Sequence, residues 1–173
     1  MERTENIRTK TLDHLGIVAG VCSELGLVSL IDKLTASDPQ RKVSVGSCIY
    51  AMVLNGLGFA NSTLYLSPSY FKDKAVDVLL GDEIQVDDLN SHSLSSALDS
   101  VYHYGISGLF FSLALRAVKV YGVEIKSRHL DGTNFSVHGE KYGSGKEDLG
   151  AIELKRGYNK QGRHDLKQFV LEM

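Results

Sequence analysis

The chain has 173 residues, 43% hydrophobic and 23% charged, the proportions of a core-forming protein with one ordinary domain or two small ones. Its formal charge of −2 excludes a polycation, so any nucleic-acid contact has to come from local clusters of Lys and Arg. Basic and acidic side chains number 11 and 14 over residues 1–126 but 8 and 7 over 127–173, so the balance turns slightly positive late in the chain.

The first ten residues, MERTENIRTK, are polar and lack the apolar stretch of a signal peptide. No uninterrupted apolar run approaches the ~20 residues of a membrane span. From residue 12 to about 121 the pattern is helical. Leu15, Val18, Ala19, Cys22 and Leu25 follow the i, i+3, i+4, i+7 rule, and Leu27, Leu30, Ile31 and Leu34 follow it in a shifted phase after Gly26. This predicts two helices, or one kinked there. Asp38-Pro39 predicts a turn, because the residue before proline is biased out of the helical region. Ser44 is positioned to cap a helix with Val45, Cys48, Ile49, Met52, Val53, Gly56 and Leu57 on one face.

Leu64 to Leu80 is less regular and suggests two short helices around Pro68. After the polar break Asp87–Ser91, Ser93 is the expected cap of a helix carrying Leu94, Ala97, Leu98, Val101 and Tyr102, ended by Gly105. The clearest helix follows, with Ile106, Leu109, Phe110, Leu113, Ala114, Ala117, Val118 and Tyr121 at helical spacing, and Gly122 stops it. The two helices flanking Gly105 could mimic a helix-turn-helix. Their faces are too apolar, and a core helical hairpin is the better reading.

Past Gly122 the period changes. VEIKSRHLDGTNFSVHG, AIELKRGYN and LKQFVLE alternate, separated by Gly-rich breaks, which predicts three strands in an antiparallel meander. The expectation is an α+β chain, helical over 1–122 and β over 123–173. Its last residues arrive in the middle of an apolar strand, where a domain rarely ends, since a three-stranded sheet buries little. The two cysteines, Cys22 and Cys48, lie in apolar stretches without Cys-x-x-Cys spacing, which fits a reducing compartment and a cytoplasmic setting.

Two groups of residues invite chemistry. Asp131, followed by Gly132, reads either as the first half of a tight type I′ turn or as a carboxylate on a strand, available to a divalent cation. Lys155, Arg156, Lys160, Arg163, His164 and Lys167 form a basic cluster around Tyr158 with Asp165 its one acid. Such a cluster suits a phosphate backbone, and equally a solvated hairpin turn. Gln40-Arg41-Lys42 reads as a helix entrance. His14, His92 and His103 read as structural, and alternation places His129 and His138 on opposite faces of their strand. Phosphate-loop, dinucleotide and Gly-x-Ser-x-Gly motifs do not occur.

Three stretches, taken in order, resemble one branch of the bacterial insertion-sequence DDE transposases: Asp38-Pro39-Gln40-Arg41-Lys42-Val43-Ser44-Val45-Gly46 with Ala51–Phe59; His129-Leu130-Asp131-Gly132-Thr133-Asn134-Phe135; and Gly157-Tyr158-Asn159-Lys160 with Asp165-Leu166-Lys167-Gln168-Phe169. The resemblance implies a helical N-terminal domain over 1–122 and the first three strands of an RNase H-like catalytic domain over 123–173. It implies that Asp131 is the first of three catalytic carboxylates, which together hold Mg²⁺ or Mn²⁺ for phosphoryl transfer on DNA. In that family the second and third acidic residues come later than Met173. Where the family typically carries Asp-Arg-x-Pro-Asp-Leu, this chain has Gly162-Arg163-His164-Asp165-Leu166, so Asp165 is not promoted to a ligand.

The expectation is therefore a truncated, catalytically incomplete chain. Its implied partners are the terminal inverted repeats of an element and further copies of itself or of the full-length enzyme. A non-catalytic DNA-binding or assembly fragment, or a relic without function, are the alternatives.

Overall fold

A helix whose apolar residues outnumber one face has to be covered on more than one side, and this requirement organises the first part of the chain. The computed structural model describes residues 9–35, 38, 40–58, 62–124, 132–138, 154–158 and 162–172. It resolves into two units, Met1–Glu124 and Ile125–Met173. The fold is α+β.

Among the described residues the first unit holds seven α-helices: α1 Leu15–Glu24, α2 Leu27–Leu34, α3 Val45–Gly56, α4 Ser67–Phe71, α5 Val76–Leu80, α6 Ser91–Tyr104 and α7 Ile106–Tyr121. Two 3₁₀ turns, Leu64–Leu66 and Val86–Leu89, precede α4 and α6. The break between α1 and α2 falls where the periodicity shifts. Gly26 takes a left-handed conformation (φ 56°), and the two helices meet at 53°. No single helix among the described residues is long and apolar enough to cross a membrane.

The core centres on α3, which packs against both α2 and α6. Leu15, Ile31, Cys48, Leu54, Phe71, Leu89 and Leu94 are all but fully enclosed. Ser44 caps α3, its Oγ accepting from the Ser47 amide at 3.1 Å. The expected face of α3 needs correcting. Val45 and Cys48 are buried with Gly46, Tyr50, Ala51, Leu54 and Asn55, while Gly56 and Leu57 are exposed. With α2 on one side and α6 on another, apolar residues all round the helix leave no single phase to read. The buried Asn55 is satisfied at both ends of its amide, donating to the Ser62 carbonyl (2.5 Å) and accepting from the Ser62 amide (2.8 Å).

Two further boundaries differ from expectation. Pro68 lies in the first turn of α4, where its missing N–H costs nothing, rather than between two helices. Asn90, not Ser93, caps α6: the Asn90 side chain accepts from the Ser93 amide at 3.0 Å, so Ser93 supplies the donor. Asn90→Ala is expected to lower stability by about 1 kcal/mol and Ser93→Ala to change it far less, as read from denaturant midpoints.

The apolar face of α7 is covered only along one edge. Leu109 and Leu113 reach the core, but no residue of α7 is buried. Among its exposed large apolar residues exposure runs from 45% at Val120 to 62% at Phe111, with Ile106, Phe110 and Leu115 between. The core hairpin expected at Gly105 is thus half right: α6 buries Leu94, Ala97 and Val101, and α7 rests on the surface. Periodicity identifies a face that has to be covered without saying by what.

The second unit is a three-stranded antiparallel sheet of β1 Gly132–Val137, β2 Lys155–Arg156 and β3 Lys167–Glu172. Its order is β1-β3-β2, not the sequential meander expected. β1 and β3 pair over six positions, from Gly132↔Glu172 to Val137↔Lys167, and stack Phe135 on Phe169 with ring centroids 5.0 Å apart. β2 is only two residues long and takes the other edge of β3. The long paired strands and their aromatic contact decide the neighbour, and sequence adjacency does not.

Candidate nucleic-acid interface

Register determines which of the basic side chains meet. Residues directly opposite on paired strands share a face. Arg156 pairs with Lys167, and Lys167 with Val137, so both cations share a face with Phe135 and Phe169. Lys155 pairs with Gln168 and belongs to the opposite face. Two like charges directly opposite on antiparallel strands destabilise a sheet.

The connection after β2 adds to this edge. Tyr158 is 82% exposed, with its ring centroid 5.7 Å from that of His164. The Gln168 amide donates to the Tyr158 carbonyl at 3.0 Å, and a ring nitrogen of His164 donates to the Gly157 carbonyl at 3.2 Å, so β3 holds the segment in place. Arg163 is differently occupied from the sequence expectation. Its guanidinium grips Asp165 through two bonds of 2.9 and 2.8 Å. That hydrogen-bonded guanidinium brings the Asp165 carboxyl from its ordinary 3.8 to about 2, with the Arg156 charge adding in the same direction. Arg163 therefore carries half of an ion pair, and Arg156 and Lys167 stand directly opposite each other. Lys160 lies outside the described residues.

Asp131 and His129 also lie outside the described residues. Gly132, however, is the first residue of β1 and pairs with Glu172, so it belongs to the ladder and not to a two-residue turn. Among the described residues no three His, Cys, Asp or Glu side chains converge on a space that would hold a metal ion. Asp165 is committed to Arg163. The described residues do not make a Mg²⁺ or Mn²⁺ site.

The helical unit answers the other candidates. Arg41 is a clamp: it donates to the Ser93 carbonyl (3.0 Å), the Ser96 hydroxyl (3.1 Å) and the Val43 carbonyl (3.3 Å), tying the entrance of α3 to α6. Lys42 pairs with Asp88 at 2.8 Å. Sequence spacing had suggested only a helix entrance, since nothing local reveals a partner some fifty positions away. His14 donates to the Leu57 carbonyl at 2.6 Å and His103 to the Asp99 carbonyl at 2.7 Å, in keeping with structural roles. Cys22 and Cys48 are free and buried, and burial pushes both thiols up, away from the reactive thiolate.

Residues 7–115 match a family described as a domain of unknown function, DUF4277, over more than half of the chain and most of the helical unit. No curated protein and no solved structure matches.

Proposed function

The chain belongs to the DUF4277 family, and we propose, from its motif stretches, that it is the N-terminal part of an insertion-sequence DDE transposase whose β2–β3 hairpin contacts the DNA backbone. One observation carries the reading: Arg156 directly opposite Lys167, on the face of the Phe135–Phe169 stack, with the exposed Tyr158 two positions further along the chain. Two basic side chains directly opposite each other offer a phosphate two cations on one face of the sheet, and an exposed aromatic offers a surface for a base or sugar. Lys155 offers a further cation on the other face of the sheet.

The transposase part of the reading rests on the three motif stretches and on the match of Asp131 to the family's first carboxylate. In that chemistry three carboxylates hold the metal ions that activate the attacking oxygen and stabilise the leaving one. One carboxylate does not hold that pair, so the reading assigns the described residues DNA binding and no cleavage step. The self-association expected of such a protein belongs to the helical unit.

The test is binding of the purified chain to labelled duplex DNA carrying candidate element ends, across about 50–200 mM salt, with and without Mg²⁺ or Mn²⁺. The expected result is affinity that falls steeply with salt and intact DNA in every lane. Asp131→Ala, which removes a negative charge, should hold or tighten binding. Metal-dependent nicking abolished by Asp131→Ala would overturn the binding-only part, and absence of binding at low salt would overturn the whole.

A further inference from the structure

We infer that Gln168 is a positioning residue for Tyr158, fixing the backbone that carries this exposed ring before DNA arrives; the inference rests on the DNA-binding reading above. Gln168 lies in β3 between Lys167 and Phe169, and its register partners are Ser136 and Lys155. Its side chain therefore projects from the face opposite Arg156 and Lys167. From there its amide nitrogen donates to the Tyr158 carbonyl at 3.0 Å, ten positions back in the chain. One strand thus carries a cation of the interface and the hold on its aromatic residue.

The other end of the same amide shows why stability does not account for it. Gln168 Oε1 is buried and has no hydrogen-bond partner among the described residues. A buried acceptor left unpaired costs as much as an ordinary hydrogen bond returns, or more. Turning the amide over does not correct this, because the Tyr158 carbonyl only accepts and requires the nitrogen. An apolar side chain of similar length would avoid the cost and keep the strand. What the amide supplies, and leucine does not, is the grip on Tyr158.

That grip has a use. Tyr158 is 82% exposed and follows Gly157, a residue type with wide backbone freedom. Gly157 also leaves room for the amide, since a Cβ there would lie 3.1 Å from Gln168 Nε2. His164 makes a second hold, on the Gly157 carbonyl at 3.2 Å, with its ring beside that of Tyr158. Both bonds end on backbone carbonyls, so the Tyr158 ring stays available to a base or sugar. The entropy of presenting it is then lost at folding and not at binding.

The chain has no tryptophan, so Tyr158→Trp makes position 158 a single fluorescent reporter. Time-resolved anisotropy of that full chain, without DNA, should show more nanosecond motion of the reporter when Gln168→Leu or Gln168→Met is added. Val170→Thr, on the same face of β3, should leave the motion unchanged. On duplex DNA, with Tyr158 in place, Gln168→Leu should weaken binding about threefold, with the slope of log affinity against log salt unchanged because no phosphate contact is lost. In a Tyr158→Ala background it should weaken binding no further. Unchanged reporter motion in both Gln168 variants, a shallower salt slope, or an equal loss in the Tyr158→Ala background would each overturn the inference and leave the DNA-binding reading standing. A wild-type chain that does not bind DNA overturns both.

Discussion

Gly46→Ala is expected to destabilise the helical unit by about 3 kcal/mol, enough to remove much of the stability of a marginal domain. A Cβ at Gly46 would lie 2.9 Å from both the Cα and the carbonyl carbon of Val28, and closer still to its carbonyl oxygen. All three are backbone atoms of α2, so no rotamer change relieves the clash, and α3 has to move. Moving it also strains the 2.6 Å bond in which the Gly46 amide donates to Asp32 Oδ1, the side-chain link between the same two helices. Helix propensity works the other way, favouring alanine by roughly 1 kcal/mol, and is the smaller effect. Gly20 is the matched control. It lies in α1 with nothing within 4 Å of its Cβ position, so Gly20→Ala should be neutral or stabilising by up to about 1 kcal/mol. Urea denaturation of the two variants measures both signs.

Lys167→Glu is expected to weaken DNA binding about tenfold or more while making the cross-strand pair with Arg156 attractive. The two effects separate because of register. Lys167 faces Arg156 directly, so a glutamate there turns a repulsive cross-strand pair into an attractive one, worth a few tenths of a kcal/mol up to about 1. The same change removes one phosphate contact and introduces a repelling charge, lowering the slope of log affinity against log salt by about 1. Reversing both residues restores a like-charged pair of opposite sign. Arg156→Glu with Lys167→Glu should therefore lose the stability gained by the single charge reversal and cut affinity about a hundredfold. A purely structural hairpin would show the stability pattern with no change in DNA affinity.

The helices were legible because their punctuation is local. Gly26, Ser44, Gly105 and Gly122 act on the chain next to them, and the elements start and stop there. What escaped was set by partners remote in sequence. The buried face of α3 depends on α2 and α6 both packing against it. The cap of α6 is Asn90, and choosing it over Ser93 required the bond between the two. The role of Arg41 is decided by Ser93 and Ser96. In the sheet, alternation found all three strands, but the neighbour of β3 was fixed by the length of β1 and the Phe135–Phe169 contact. In the candidate interface, composition found the basic residues and Tyr158. It did not reveal that Arg163 is held by Asp165, that Lys155 faces away from Arg156, or that Arg156 and Lys167 stand opposite each other.

The most direct test of the central claim is the salt dependence of duplex DNA binding by the wild-type chain and the Arg156→Glu, Lys167→Glu double variant, followed by fluorescence anisotropy. Wild-type affinity should fall steeply from about 50 to 200 mM salt, and the double variant should bind about a hundredfold more weakly with a slope shallower by about 2. Equal affinities and equal slopes for the two proteins would contradict the account.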